Sequence, residues 1–226
     1  MTEKKSTKKA KLKGTHTKFE KKMSHAQKQY LVRQSKDPYT AKAQQMGYRS
    51  RAAFKLLELN EKFNLLKPNQ TIVDLGAAPG GWCQVVGEIL NNNCRIIACD
   101  LLEVDPLPNV TFIQGDFTTD EIWDEVRAVA GEGGVDVVLS DMAPNTAGSG
   151  NIDHLRSMGL VEIAADSATH LLKLGGHFAC KIFQGGEEKK FADSLKERFE
   201  KVHFAKPKSS RAESREIFIV ALGFKG

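Results

Sequence analysis

The sequence predicts an α/β fold, with a mostly parallel β-sheet and helices on both of its faces. Short apolar segments that indicate buried strands alternate with longer segments of helical periodicity, which is typical of parallel strands joined by crossover helices. The last two strand segments, 202–206 and 217–222, are separated by only ten residues. That connection is too short for a helical crossover, so we expect an antiparallel hairpin at the C-terminus.

The predicted elements follow from these patterns in chain order. Ser50 is the predicted N-cap of a first helix, which has apolar residues at helical spacing and stops before Pro68. Residues 23–47 are polar and partly helical, with a break at Asp37-Pro38. Strands are predicted at 71–75, 95–99, 110–114, 135–140, 177–183, 202–206 and 217–222, and helices at 80–90, 119–130, 153–172 and 187–199, with Gly175-Gly176 ending the third of these helices.

The composition limits the class of protein. With 226 residues, 41% of them hydrophobic, the chain can bury the core of one full domain. Its four cysteines form no Cys-x-x-Cys pair, which favours reduced thiols and a cytoplasmic location. The six histidines lack metal-ligand spacing, and no apolar stretch is long enough to span a membrane or to act as a secretory signal. We therefore expect neither a metal nor a membrane association.

The positive charge is concentrated at the N-terminus. Residues 1–22 hold nine lysines and two glutamates, a net charge of +7, so the other 204 residues carry −2 of the total +5. Such a segment has too few large apolar residues to fold alone, and we expect a disordered tail followed by a single domain at 23–226. The tail could serve solubility, act as a receptor-read address or bind phosphates non-specifically, and the composition does not decide between these roles.

Acidic residues come at or just after the ends of several predicted strands, where ligands bind in open parallel sheets. Asp74 lies late in the first strand and precedes a turn with Gly76, Gly80 and Gly81. The other acids at strand ends are Asp100, Asp116 and Asp141. The glycine spacing differs from the Gly-x-Gly-x-x-Gly phosphate fingerprint, and a ring of carboxylates suits a pyrophosphate poorly.

These carboxylates suit a ligand with hydroxyls, an amino group, an adenine and a positive charge. S-adenosylmethionine has all four. We expect Asp100 to accept hydrogen bonds from the ribose hydroxyls and Asp116 from the adenine amine, with Gly80 and Trp82 lining the methionine end. The alternative is that these acids are only helix caps and turn formers.

Lys181 interrupts the apolar segment HFACKIFQGG, which otherwise indicates a buried strand. Burial of an ammonium group is costly unless the group is paired or becomes neutral. Lys181 is therefore either a strand-end lysine that extends to water or a working group of an active site.

Six motifs are distinctive together: DLGAAPGGWCQ, IIACDLL, QGDF, SDMAPN, KIFQGG and SSRAESREIFIVA. In this order and spacing they resemble the FtsJ family of ribosomal RNA 2′-O-ribose methyltransferases, over roughly residues 46–224. The resemblance implies a Rossmann-like S-adenosylmethionine-dependent methyltransferase fold, with a seven-stranded sheet whose last pair is the antiparallel hairpin. It also implies that the substrate is a uridine ribose in the A loop of large-subunit rRNA, on the assembled large ribosomal subunit.

The resemblance further implies a catalytic set of Lys55, Asp141, Lys181 and Glu216, and cofactor contacts at Gly80, Trp82, Asp100, Asp116 and Asp141. A ribose hydroxyl must lose its proton as the new bond forms, and a neutral Lys181 could accept it as general base. We expect desolvation, Lys55 and the sulfonium to favour the neutral amine, and Asp141 to oppose them while orienting it. Lys55 would stabilise charge on the hydroxyl oxygen, and Glu216 would position a lysine or the ribose. Glu213 lies only three residues before Glu216, so the sequence leaves the choice of carboxylate open.

Recognition of RNA is harder to assign to single residues. Basic residues that could frame a phosphate-binding cleft are Lys201, Lys206, Lys208, Arg211 and Arg215 near the hairpin, and Arg33, Arg49 and Arg51 around the first helix. A ribose methyltransferase for tRNA or an mRNA cap, a non-catalytic ribosome-assembly factor and a small-molecule methyltransferase remain alternatives. We expect a monomer.

Overall fold

The chain forms a seven-stranded mixed sheet between two layers of helices. The computed structural model describes residues 37–144 and 150–226, without the side chains of 150–153. The strands are β1 (Gln70–Leu75), β2 (Cys94–Asp100), β3 (Val110–Gln114), β4 (Val135–Ser140), β5 (Leu172–Phe183), β6 (Phe199–Ala205) and β7 (Glu216–Phe224). The helices are α1 (Pro38–Met46), α2 (Ala53–Phe63), α3 (Gly81–Ile89), α4 (Asp120–Ala130), α5 (Gly150–Leu171) and α6 (Glu188–Leu195). The predicted tail at 1–22 and the helical content predicted for 23–36 lie outside the described residues.

The sheet order is β3-β2-β1-β4-β5-β7-β6. Strands β1 to β5 pair in parallel, whereas β7 runs antiparallel to both β5 and β6. The predicted α/β architecture with a C-terminal antiparallel hairpin is confirmed. The last strand of the chain lies between β5 and β6, which brings Glu216 opposite Phe183 at the end of β5.

Each face of the sheet has its own hydrophobic core. One core joins α4, α5 and α6 to residues such as Val73 and Leu75, and the other joins α1, α2 and α3 to residues such as Ile72. Alternate residues of β1 thus enter opposite cores, as the period of a strand requires. Asp74, next to Val73, is on the α3 side, where its carboxylate accepts a hydrogen bond from the Cys83 thiol at 3.2 Å.

Three predicted boundaries were wrong because contacts with distant residues decide the local structure there. Helix α2 begins at Ala53 with Ala52, not Ser50, at the N-cap. Residues 50–52 instead form a tight turn in which the Ala53 amide donates to the Ser50 carbonyl at 3.3 Å. The Ser50 hydroxyl lies 2.4 Å from the position that a Cβ on Gly81 would take, so this side chain packs against the start of α3 rather than capping α2.

The other two errors concern strand beginnings that look helical in the sequence. Leu172 was assigned to a helix ended by Gly175-Gly176, but it belongs to β5, where it pairs with Val135 across a register shift. Phe199 was assigned to the helix that ends at Leu195, but it begins β6, where its ring lies 6.5 Å from Phe178 and 5.4 Å from Phe224. A buried apolar residue at an element boundary fits both periodicities, and here tertiary packing decided.

Candidate active site

A cavity of about 260 Å³ opens at the carboxyl ends of the first four strands. Asp100 at the end of β2, Asp116 after β3 and Asp141 after β4 all line it. Apolar side chains complete the wall, among them Phe117, Met142 and Leu160. Three of the four acids predicted at strand ends therefore meet in one cavity, together with Gly76 after β1, whereas Asp74 is not among the lining residues.

Asp100 joins two loops at the mouth of this cavity. Its Oδ2 accepts a hydrogen bond from the Ala78 amide at 2.9 Å, and its Oδ1 accepts one from the Leu102 amide at 2.8 Å. The glycine turn after β1 and the connection after β2 are thus held by one carboxylate. Asp116 accepts hydrogen bonds from the Thr118 hydroxyl at 2.7 Å and the Thr118 amide at 3.0 Å. These bonds hold the pKa of Asp116 below its ordinary value, so it is ionised at neutral pH.

The turn between β1 and α3 depends on glycine at two positions. Gly76 and Gly80 have φ values of 78° and 101°, the left-handed region that side chains disfavour. A Cβ at Gly76 would also lie 2.8 Å from the side chain of Met142. The backbone can therefore run close to the cavity at this turn.

Gly80 and Trp82 are not among the described residues that line the cavity. Trp82 is buried, its indole N–H donates to the Ala52 carbonyl at 2.8 Å, and its ring lies 5.9 Å from that of Phe218. In this structure Trp82 joins α3 to α2 and β7. A contact of Gly80 or Trp82 with the methionine end of the cofactor stays a prediction.

Beside the cavity, four side chains form a compact polar cluster. The Lys181 ammonium lies 3.0 Å from Asp141 Oδ1, and the Lys55 ammonium lies 3.5 Å from the same oxygen. Lys55 also contacts Glu216 Oε1 at 2.8 Å, and Lys181 donates to the main-chain carbonyl of Asp141 at 2.5 Å. The set that the resemblance implied is therefore brought together in space, and Asp141 belongs to both the cluster and the cavity.

The charges in this cluster are mutually dependent. Lys55 and Lys181 are only 8% and 7% exposed. Burial lowers the pKa of Lys55, but the carboxylates of Asp141 and Glu216 outweigh that effect, so its pKa is raised above the ordinary value. Burial likewise raises the pKa of Asp141, but Lys181 and Lys55 outweigh it and hold the pKa below its ordinary range. At neutral pH Asp141 is a carboxylate and Lys55 an ammonium.

Four separate elements position these residues. Lys55 is on the buried face of α2, Asp141 directly follows β4, Lys181 is inside β5 and Glu216 begins β7. The Asp141 amide donates to the Leu75 carbonyl at 3.2 Å, which ties the end of β4 to that of β1. Lys181 pairs in register with Phe218 of β7, whose ring lies 5.7 Å from the Lys55 ammonium.

Two polar residues at the cluster were not singled out from the sequence. The Ser210 hydroxyl donates to Glu216 Oε1 at 2.8 Å, the oxygen that Lys55 contacts. Glu58 follows Lys55 by one helical turn and accepts hydrogen bonds from the Lys208 and Ser209 amides at 2.5 and 2.9 Å. The one available signal was the spacing of Lys55 and Glu58, which places both on one face of a helix.

The basic residues proposed for RNA contact differ in their surroundings. The Arg49 guanidinium donates to the carbonyls of Pro79, Asp105 and Pro106 at 3.3, 2.8 and 3.3 Å, so it holds the loops at the cavity mouth. Arg51 donates to the Ser209 carbonyl, and Lys206 donates to the Ser214 carbonyl at 2.8 Å. Lys201, Lys208 and Arg215 are exposed, Arg211 is partly buried, and Arg33 lies outside the described residues.

The described residues contain no metal-ion cluster and no membrane-spanning helix. In residues 37–144 and 150–226, no three His, Cys, Asp or Glu side chains are grouped so that they could hold a metal ion. None of the helices described is both long and apolar enough to cross a bilayer. The four cysteines are free thiols, and three of them are buried.

Comparison with known families decides the class of this site. The model of the FtsJ-like methyltransferase family matches residues 48–224, which is most of the chain and includes every member of the polar cluster. The chain belongs to the FtsJ-like methyltransferase family. The resemblance seen in the six motifs is confirmed.

Relatives within this family are similar over nearly their whole length. Ribosomal RNA large subunit methyltransferase E of Pseudomonas fluorescens is 47% identical over 197 residues, 87% of this chain and 94% of the relative. The protein of the same name from Brucella canis is 46% identical over 207 residues, 90% of this chain and 86% of the relative. A solved structure described as a ribosomal RNA methyltransferase from Plasmodium falciparum is 36% identical, with a TM-score of 0.73, and covers 79% of this chain and 100% of its own.

The methyl donor of this FtsJ-like methyltransferase is S-adenosylmethionine. The residues at the cavity fit it. Carboxylates at the ends of β2 and β3 can accept from hydroxyl and amino groups, Phe117, Met142 and Leu160 offer apolar surface for an adenine, and Asp141 offers negative charge for a sulfonium.

Proposed function

We propose that the protein transfers the methyl group of S-adenosylmethionine to the 2′-hydroxyl of a uridine ribose in large-subunit (23S-type) rRNA. The proposed target is the A loop, the preferred substrate is the assembled large ribosomal subunit, and the enzyme acts in the cytoplasm as a monomer. The names of the relatives support large-subunit rRNA as the substrate class. The observation that carries the chemistry is the single oxygen of Asp141 that contacts two buried lysines at the edge of the cofactor cavity.

The reaction forms a bond between the ribose oxygen and the methyl carbon while the sulfur–methyl bond of the donor breaks with its electron pair left on sulfur, and the hydroxyl group loses its proton. When bound, S-adenosylmethionine supplies an electrophilic methyl group, so the chain must bind, orient and deprotonate the nucleophile. We propose that the Lys181 amine accepts this proton as general base. Its two contacts with Asp141, to the side chain and to the main chain, fix its direction at the cavity edge.

The other members of the cluster have supporting roles in this proposal. Lys55 is held as an ammonium by Asp141 and Glu216, so it can stabilise negative charge that develops on the ribose oxygen. Glu216 positions Lys55, and Asp141 orients Lys181. The proposed cofactor contacts are Gly80 and Trp82 at the methionine end, Asp100 at the ribose, Asp116 at the adenine amine and Asp141 near the methyl group.

The experiment that tests the substrate class is transfer of labelled methyl groups from S-adenosylmethionine to purified large subunits, small subunits, tRNA, capped mRNA and free rRNA. We expect label on large subunits, with the modified nucleotide mapped by alkali resistance, because a 2′-O-methyl group blocks cleavage of the adjacent phosphodiester. Lys181→Ala serves as the inactive control in every reaction.

The other outcomes separate the alternatives. Label on tRNA or capped mRNA alone would keep the ribose chemistry and overturn the rRNA assignment. Cofactor binding without label on any RNA would favour a non-catalytic assembly factor. An alkali-labile site in labelled rRNA would show that a base rather than a ribose is methylated.

A further inference from the structure

We propose that Glu58 is a positioning residue that holds the segment 207–210, so that Ser210 fixes the Glu216 side chain against Lys55. This inference rests on the proposed function, because it concerns the same catalytic set. It assigns a role to a carboxylate that touches none of the proposed reacting groups.

The first step is the capture of the segment by α2. The two carboxylate oxygens of Glu58 accept from two successive amides, Oε2 from Lys208 at 2.5 Å and Oε1 from Ser209 at 2.9 Å. Arg51, on the turn that precedes α2, donates to the Ser209 carbonyl. Three main-chain groups of one short segment thus bind side chains of one region, and hydrogen bonds to charged groups are the stronger kind.

Ser210 connects this segment to the side chain of Glu216. Ser210 directly follows the captured residues, is 7% exposed, and donates its hydroxyl to Glu216 Oε1 at 2.8 Å. Lys55 contacts that same oxygen at 2.8 Å. The Glu216 amide is held separately by the Ser214 hydroxyl at 3.1 Å, so Ser210 acts on the side chain rather than on the start of β7.

Helix α2 carries both Lys55 and Glu58. Lys55 and Glu58 are three residues apart on α2, and such residues lie on one face of a helix. One rigid helix therefore sets the position of the lysine and, through Ser210, the position of its carboxylate partner. A small displacement of a catalytic contact can cost about a hundredfold in rate, so this arrangement bears on turnover.

The test compares Glu58→Gln with Glu61→Gln, an exposed glutamate on the same helix. Glutamine keeps the size of Glu58 but replaces one acceptor oxygen by an NH2 group, which donates hydrogen bonds. One of the two main-chain N–H groups then faces a donor instead of an acceptor. We expect Glu58→Gln to lower kcat for methyl transfer by about tenfold, with the KM for S-adenosylmethionine unchanged. Glu61→Gln should match the wild type. Equal kcat values for the two variants would overturn the proposal.

A double-mutant cycle separates positioning from a general structural role. If Glu58 acts through Ser210 on Glu216, then adding Glu58→Gln to Glu216→Ala or to Ser210→Ala should lower kcat little further. If Glu58→Gln lowers kcat by the same factor in both of these backgrounds as in the wild type, Glu58 does not act through Ser210 and Glu216, and the proposal is contradicted. Equal melting temperatures of the variants would show that loss of fold is not the cause.

Amide hydrogen exchange keeps the inference testable without turnover. We expect Glu58→Gln to speed exchange at the amides of Lys208 and Ser209, with Glu61→Gln unchanged. If the wild type methylates no rRNA but this exchange result is obtained, the proposed function fails while the capture of the segment stands. Unchanged exchange at these amides in Glu58→Gln would show that Glu58 does not hold the segment 207–210, and would overturn the proposal.

Discussion

Lys55 and Lys181 contact the same oxygen, Oδ1 of Asp141, at 3.5 and 3.0 Å. The two lysines differ in their second contact. Lys55 has a second carboxylate, Glu216, whereas the second contact of Lys181 among the described residues is the main-chain carbonyl of Asp141. A second carboxylate favours the charged form of a lysine more than a carbonyl does, so the geometry suits Lys55 to a fixed positive charge.

Replacement of Lys181 by alanine should abolish methyl transfer and leave cofactor binding nearly intact. Loss of a general base costs about a hundredfold or more in kcat. Lys190→Ala, which removes an exposed lysine from α6, is the matched control. Single-turnover methylation and calorimetric titration with S-adenosylmethionine measure the two quantities. Turnover near wild type would contradict the assignment of Lys181 as base. Loss of both methyl transfer and cofactor binding would show that Lys181 has a structural role.

Glu216→Ala should reduce methyl transfer less than Lys181→Ala does, because it removes a partner of Lys55 rather than the base. Glu213→Ala should leave kcat unchanged, since Glu213 is exposed and Glu216 is the residue that lies 2.8 Å from Lys55. Steady-state kinetics of the pair resolve the choice that the sequence left open. A larger defect in Glu213→Ala would reverse the assignment.

Asp100→Ala should weaken binding of S-adenosylmethionine. It removes both a proposed acceptor for the ribose hydroxyls and the bridge between the Ala78 and Leu102 amides. Loss of a hydrogen bond to a charged group is worth about 1.5–3 kcal/mol, or about tenfold to a hundredfold in Kd. Glu103 is an exposed acid two residues beyond Leu101, which lines the cavity. Glu103→Ala should therefore bind S-adenosylmethionine as the wild type does. Isothermal titration with both variants is the measurement, and equal affinities would contradict the role of Asp100.

Asp74→Asn should stabilise the protein at alkaline pH. Burial is the main cause that raises the pKa of Asp74 to about 7, against the opposing hydrogen bond from Cys83. A carboxyl with a raised pKa contributes its full share of stability below its unfolded value of 3.8 and loses it as the pH rises to about 7. Above that pH the folded wild type contains a buried carboxylate, one oxygen of which lacks a hydrogen-bond partner in the described structure.

The measurement is the difference in melting temperature between Asp74→Asn and the wild type across pH 5 to 9. The difference should grow in favour of the variant as the pH rises from 5 to about 7 and should level off above that pH. It corresponds to a change in the free energy of unfolding on the order of a few kcal/mol. A pH-independent difference would show that Asp74 does not titrate in this range.

The pattern of strands and helices could be predicted because it follows from local periodicity. The hairpin could be predicted from the short connection between the last two strands, and the cavity acids from their places at strand ends. Element boundaries failed at Leu172 and Phe199, where a buried apolar residue suits a helix and a strand equally and long-range packing decides.

The resemblance implied the four residues of the polar cluster, but their contacts could not be predicted. Lys181 drew attention because an ammonium in an apolar strand needs a partner. The choice of Glu216 over Glu213, the hydroxyl of Ser210 and the engagement of Arg49 by three carbonyls depend on distances between separate segments, which no local pattern encodes.

The position of β7 between β5 and β6 imposes an order on assembly during synthesis. Strand β7 follows all the other described strands in the chain, yet it fills an interior place in the sheet and begins with Glu216. A nascent chain that ends before residue 216 exposes the backbone edge of β5 beside Lys181, and Lys55 has only one of its two carboxylates. The candidate active site is therefore completed only when β7 has left the ribosome that made it.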